Sequence, residues 1–193
     1  MTADPTVAPR KVFLFSGHMI DAPGRARPRF PPQHERAAAE AIGSLLDALG
    51  AGAADLAICG GACGGDLLFA EAALARGARL ELYLPFDEAT FLDKSVDFAG
   101  DGWHDRYLAA RRAGTLHLMP DELGPLPAGE DPYERNNLWM LEAAGRFGTD
   151  RVDFVCLWDG QGGDGPGGTR HLMQEVRRRA GRTHRIDATR LRA

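Results

Sequence analysis

Four glycines and an aspartate within seven residues are the sharpest chemical feature of this sequence: Gly60, Gly61, Gly64, Gly65 and Asp66, in the run Gly-Gly-Ala-Cys-Gly-Gly-Asp. Glycine lets a backbone come closer to a bound group than any side chain would allow. The run follows an apolar stretch (Leu56, Ala57, Ile58) and precedes a helical pattern with Leu67, Ala70 and Leu74 at spacings of three and four. The first amides and positive dipole end of a helix starting near Asp66 would favour an anion, so the chemistry implied is the holding of a phosphate-bearing ligand. Gly77 stops the helix, and residues 80–84 form a second strand that ends at Pro85. Residues 55–86 thus read as one strand–helix–strand unit. The alternative is a tight turn with no ligand. For Asp66 alone, the choice lies between a helix N-cap and a carboxylate that bonds a ribose hydroxyl.

A second glycine-dense turn, 159–169, follows the most apolar strand, 152–158. Gly167, Gly168 and Thr169 repeat the same physics, with Thr169 expected to cap the last long helix and to offer its hydroxyl to a second phosphate; a flexible surface loop is the alternative. Arg25, Arg27 and Arg29 alternate on a proline-stiffened loop, 21–32, where guanidinium forks suit phosphate oxygens. Of the three, Arg29 is the binding candidate; otherwise all three are solvated. Ser16-Gly17-His18 ends the first strand, and His18 is either a ligand partner or acid–base group, or simply a turn histidine. Trp158, at a strand exit beside Asp159, could stack on a base. Trp103 and Tyr107, four apart on a helix, read as a core stripe. Asn136 and Asn137 are expected to cap a helix. If a bond is cleaved, Asp66 and Glu71 are the carboxylate candidates, with Asp87 and Asp159 behind them. No metal site is expected: the three cysteines, Cys59, Cys63 and Cys156, do not match a zinc pattern and read as small buried residues.

These residues need a scaffold, and the pattern supplies one. Strands are expected at 11–15, 56–58, 80–84, 115–119 and 152–158, with 182–187 as a sixth, edge strand. Helices are expected at 33–49, from Asp66 to Gly77, at 103–113, at 133–147 and from Thr169 to about residue 180, and 120–132 reads as a loop. The strand 11–15 is apolar throughout, which suits a parallel sheet covered by helices on both faces. The expectation is α/β: a single doubly wound, Rossmann-like domain with a mostly parallel sheet of five to six strands. Residues 1–10 read as a disordered lead-in and 11–193 as the domain. At 193 residues, 44% hydrophobic and 26% charged, the chain suits one globular domain. No apolar run is long enough to span a bilayer, and the default is a cytoplasmic protein with no membrane partner. The net charge is −4, which argues against a protein that coats nucleic acid. Eight arginines between 170 and 193, against Glu175 and Asp187, put the tail at +6 and the rest at −10. A solvated helix face explains this more simply than an anionic partner.

The three loops at strand ends carry a resemblance. The turn 60–66 with its alanine-rich helix and Pro85-Phe86, the Trp158-Asp159-Gly160 end with Pro166-Gly167-Gly168-Thr169, and Ser16-Gly17-His18 with Arg29-Phe30-Pro31 together resemble the SLOG superfamily. That group includes DNA-processing protein A, the Lonely Guy phosphoribohydrolases and molybdenum-cofactor carrier proteins. The first loop looks most like the nucleotide-sensing SLOG modules of bacterial signalling and conflict systems. The resemblance spans residues 11 to about 180. It implies a small-molecule nucleotide or nucleotide-sugar phosphate as ligand, held non-covalently by a sensor or carrier that needs no other cofactor. Resembling proteins often pair, so a homodimer is the implied assembly. Lonely Guy enzymes carry a catalytic glutamate three residues after the Gly-Thr of their second signature, and here that position is Leu172. Hydrolysis of an N-glycosidic bond is therefore the alternative reading, and single-stranded nucleic-acid binding through the arginine-rich end a weaker one.

Overall fold

Val12 and Leu14 pack to one side of the first strand and Phe13 and Phe15 to the other, all four fully buried. That two-sided burial repeats along the chain and sets the architecture. The computed structural model describes residues 7–161, 168–179 and 181–192. Among these, the strands are β1 (Val12–Gly17), β2 (Leu56–Cys59), β3 (Arg79–Leu84), β4 (Thr115–Leu118), β5 (Val152–Trp158) and β6 (Arg182–Asp187). The helices are α1 (Glu35–Ala48), α2 (Gly65–Ala75), α3 (Glu88–Ser95), α4 (Asp101–Ala113), α5 (Met119–Leu123), α6 (Pro132–Gly145) and α7 (Thr169–Arg178). The strands form one sheet in the order β4-β3-β2-β1-β5-β6, every neighbouring pair parallel. This is a Rossmann-like α/β fold.

One layer of core holds Phe13, Phe15, Ala57, Cys59, Leu82 and Leu157 against α1, α2 and α4. The other holds Val12, Leu14, Ile58, Phe154 and Cys156 against α6 and α7. Alternate residues of each strand feed alternate layers, as the pleat requires. Two buried aspartates fasten the N-terminal rim. Asp55 accepts from Arg10 Nε (3.0 Å) and from the amides of Lys11 (3.1 Å) and Gly52 (2.9 Å). Asp153, 1% exposed, ties β5 to the edge strand through both Arg182 nitrogens at 2.8 Å and His184 at 2.8 Å.

Trp103 and Tyr107 lie in the core, and the three cysteines are buried free thiols. Four local expectations need correction. The first strand runs on through Ser16 and Gly17, because both pair with β5. Residues 119–123, inside the stretch expected as a loop, are helical: Pro120 stands in the first turn, where a missing N–H does no harm. Asn136 and Asn137 are not caps; Asp131 is the N-cap of α6 and accepts from the amide of Glu134 at 2.8 Å. Thr169 is the first residue of α7, and the N-cap is Gly168, which has no side chain to cap with.

Candidate functional site

From β4 to β1 the sheet grows in one direction; β5 and β6 then add on the other side of β1. The crevice beyond the carboxyl ends of β1 and β5 is the switch point where such sheets bind ligands. A cavity of about 430 Å³ opens there. Ser16 and Gly17 from β1, His18 just after it, Gly60 after β2, Pro85 after β3, and Trp158 from β5 all reach it, with Gly168 and Thr169 at the start of α7. The volume lies within the usual range for small-molecule sites.

The cavity has two chemically different sides. Over β1 and β5 it gathers cationic groups, with the buried Asp21 carboxylate among them. Gly168 is the N-cap of α7 and both it and Thr169 line the wall, so the positive end of that helix opens on the space. The Thr169 hydroxyl lies 3.1 Å from that of Ser16, which fixes α7 to the end of β1. Arg29 closes this side, 3.6 Å from Asp159. His18 Nε2 accepts the amide N–H of Asp159 at 3.0 Å, so the neutral ring carries its proton on Nδ1. Burial first, and then Arg29, lower the His18 pKa against the pull of Asp159. His18 is thus a neutral strut between β1 and the β5 exit.

Over β2 and β3 the wall is largely apolar, with polar groups set into it, the Asp66 and Asp131 carboxyls among them. Phe91 and Met140 line it. Asn136, 4% exposed, donates Nδ2 to the carbonyl of Tyr83 at 2.9 Å. That bond fixes the amide orientation, so the other atom is an acceptor oxygen, and Asn136 Oδ1 has no hydrogen-bond partner. Ser95 Oγ, on the same side of the cavity, is likewise buried and unpartnered. Buried polar atoms are normally satisfied, and two orphans in one cavity wall are what a ligand site presents before it fills. Tyr133, 41% exposed, lines the mouth and packs edge-on against Phe86.

The first glycine turn behaves differently from its sequence reading. Its amides are already engaged: Gly65 N–H donates to His18 O (3.0 Å), Cys63 N–H to Ser95 O (2.9 Å) and Ala62 N–H to the Asp66 carboxylate (3.3 Å). Asp66 folds back into the turn; a Cβ at Gly60 would lie 2.9 Å from its Oδ2. Asp66 is therefore not the N-cap, a place held by Gly64. Burial raises its pKa to about 7, and the amides of Ala62 and Gly60 pull it down only in part. Gly64 (φ 93°) sits where a Cβ would lie 2.5 Å from Ile20 N, and it forms a bridge with Met19. Gly64 and Gly65 serve close packing of the turn on the loop after β1, and Gly61 faces Leu82 and Tyr107.

Of the residues singled out from sequence, the cavity wall gathers Ser16, Gly17, His18, Arg29, Gly60, Asp66, Pro85, Trp158, Gly168 and Thr169. Gly61, Gly64 and Gly65 stand behind it. Asp159 lines an adjoining hollow. Gly167 lies outside the described residues. Trp158 is only 6% exposed, with its Nε1 bonded to Gln161 O and the guanidiniums of Arg170 and Arg185 each 5.8 Å from its ring, so Tyr133 is the better stacking surface. Glu71 is outside the cavity, bonded to Arg106 at 2.5 and 2.6 Å. Asp87 caps α3 and accepts from the amide and hydroxyl of Thr90. Sequence reasoning missed Asn136, Ser95 and Tyr133. The Asp131-Pro132 helix start was the available signal that α6 begins beside Tyr133.

The fold and the site define the class: a Rossmann-like α/β domain with a ligand-sized cavity at its switch point. No family model and no curated protein matches the chain. Among solved structures, the X-ray structure of DNA processing protein A (DprA) from Streptococcus pneumoniae matches at a TM-score of 0.38 and 14% identity. The match covers 96% of this chain and 62% of the other, so the chain spans less than two thirds of that protein's length. Among the described residues, no helix is long and apolar enough to cross a membrane.

Proposed function

We propose that the cavity binds a nucleotide or a nucleotide-derived sugar phosphate, with its anionic group over β1 and β5 and its neutral part over β2 and β3. The observation that carries this reading is the orphaned Asn136 Oδ1, an oriented acceptor buried in the same cavity as Arg29 and the glycine-capped start of α7. A phosphate suits the guanidinium and the helix end. A base or ribose supplies the donors that Asn136 and Ser95 lack, and an aromatic ring can pack on Tyr133. Three β-strand spacings, about 14 Å from β3 to β5, match an elongated ligand with unlike ends. The SLOG-like motifs of the sequence point the same way. The reading is tested by thermal-shift measurement against a panel of nucleotides and nucleotide sugars, with mass spectrometry of each mixture afterwards. A rise in melting temperature with the ligand recovered intact is expected. No shift across the panel would remove the reading.

One observation favours a second reading, N-glycosidic hydrolysis. Asp66 borders the cavity with a pKa near 7, a value suited to acid–base work at neutral pH. Its carboxyl would assist at the anomeric carbon, as glycoside cleavage requires. Free base released from a nucleoside monophosphate, and lost in Asp66→Asn, would establish it. With Leu172 at the position of the Lonely Guy glutamate and Glu71 held by Arg106, binding without cleavage is the reading preferred.

A further inference from the structure

The loop after β1 walls off the cavity and, on its other side, borders a second hollow of about 600 Å³. Arg25 and Arg29 line both spaces. Among the described residues, Arg27 and His34 line only the second, and Asp159 is the one carboxylate there. Among the described residues the lining holds three arginines, with Arg29 3.6 Å from Asp159 and Arg25 3.5 Å from Asp21. Among the described residues Arg27 has no carboxylate partner at all. Pro28 and Pro31 stiffen the segment that presents these groups, so little order has to be gained on binding. Thr189 stands on the opposite side, at the end of the sheet edge.

We propose that this second hollow is an anion subsite that takes a further phosphate, or a group of like charge, on a ligand whose nucleotide part fills the first cavity. The inference rests on the function proposed above and narrows it: the ligand is a nucleotide with two separated anionic groups, and Arg25 and Arg29 lie between them. Guanidiniums that face both spaces let one ligand bridge the loop's two sides, while Arg27 reads only the distal charge.

The test is isothermal titration calorimetry of AMP, adenosine bisphosphate and the dinucleotide pApA against the wild-type protein, Arg27→Ala and Arg27→Lys. One added charge-assisted contact corresponds to about tenfold to hundredfold in affinity. At least one extended ligand is therefore expected to bind about tenfold or more tightly than AMP. The ratio of the two affinities should collapse toward one in Arg27→Ala and survive in part in Arg27→Lys. Arg27 is exposed, so neither variant is at risk of misfolding. Extended ligands that bind no better than AMP, or a ratio unchanged in Arg27→Ala, would overturn the subsite and leave the nucleotide reading intact. If no nucleotide binds, that reading falls, and the subsite is decided by inorganic pyrophosphate. An upward thermal shift that disappears in Arg27→Ala supports a site for a free anion, and its absence overturns it.

Discussion

Replacing Asp66 by Asn should make the protein's stability respond to pH in a way that reports this one carboxyl. Folding raises its pKa from the 3.8 of a free side chain to about 7, because burial disfavours the charged form. Each pH unit of that difference corresponds to about 1.4 kcal/mol, so ionised Asp66 weakens the fold by up to about 4 kcal/mol. The carboxyl borders the cavity, where water softens the effect, and about 2 kcal/mol is a reasonable lower figure. The sign follows from the protons held. Below pH 4 the group is protonated in folded and unfolded chains alike and has no effect. Between pH 4 and 7 the folded chain holds a proton that the unfolded chain has lost, so stability falls as pH rises. Above pH 7 the full penalty is present. Asparagine keeps an oxygen for the Ala62 amide and cannot ionise. The assay is urea unfolding of both proteins at pH 4.5 and pH 8, taking the difference between them so that other titrating groups cancel. Asp66→Asn should gain about 2–4 kcal/mol on the wild type between the two pH values, or about 10 °C in melting temperature for a chain of this size. A difference that stays constant within about 1 kcal/mol across that range would show that Asp66 is not buried in the turn as described.

Three further perturbations probe separate parts of the fold. Gly64→Ala should lower stability by about 3 kcal/mol or more in denaturant unfolding, since its Cβ would meet the backbone of His18–Ile20 at positive φ. Gly50→Ala, also at positive φ but with nothing within 4 Å, should lose only about 1 kcal/mol. In Asp153, burial pushes the carboxyl up, but Arg182 and His184 together hold it below its usual range. Asp153→Asn should weaken the protein by about 1–3 kcal/mol and raise amide exchange in β6. In the wild type that contribution is present above pH 4 and fades as the pH falls further. Asn136→Ala removes the bond to Tyr83 O and should lower stability by about 1–2 kcal/mol, while weakening any bound nucleotide about tenfold as read by calorimetry.

Much of the architecture was legible because it rests on local pattern. The apolar run before Ser16, the glycine at 77 that ends a helix, and the stripe of Ala38, Ile42 and Leu46 on α1 each announce an element without reference to the rest of the chain. The site was legible only where it hangs on strand ends. His18, Gly60, Trp158 and Thr169 arrive together because a parallel sheet aligns the carboxyl ends of β1, β2 and β5. Asn136, Ser95 and Tyr133 belong to helices whose placement depends on tertiary packing; Asp131-Pro132 marks where α6 begins, but nothing local shows that these side chains face the cavity. Gly64 illustrates a second limit. Glycine is required there, but by Ile20 and His18, which press against it from across the turn. A glycine needed for packing and one needed for a ligand look the same in a sequence. Asp66 fails as a cap for a related reason, since Gly64 already holds that place and the carboxylate turns inward instead.

The placement of β1 has a consequence for how the molecule is made. Its two neighbours, β2 and β5, lie about forty and about one hundred and forty residues further along the chain. During synthesis, four adjacent strands can assemble from residues 12–118, leaving one flank of β1 open until β5 has been translated. Pairings over such separations form late and slowly. The crevice between β1 and β5 thus closes only after four strands have already been made, and a nascent chain can be largely folded before that crevice exists.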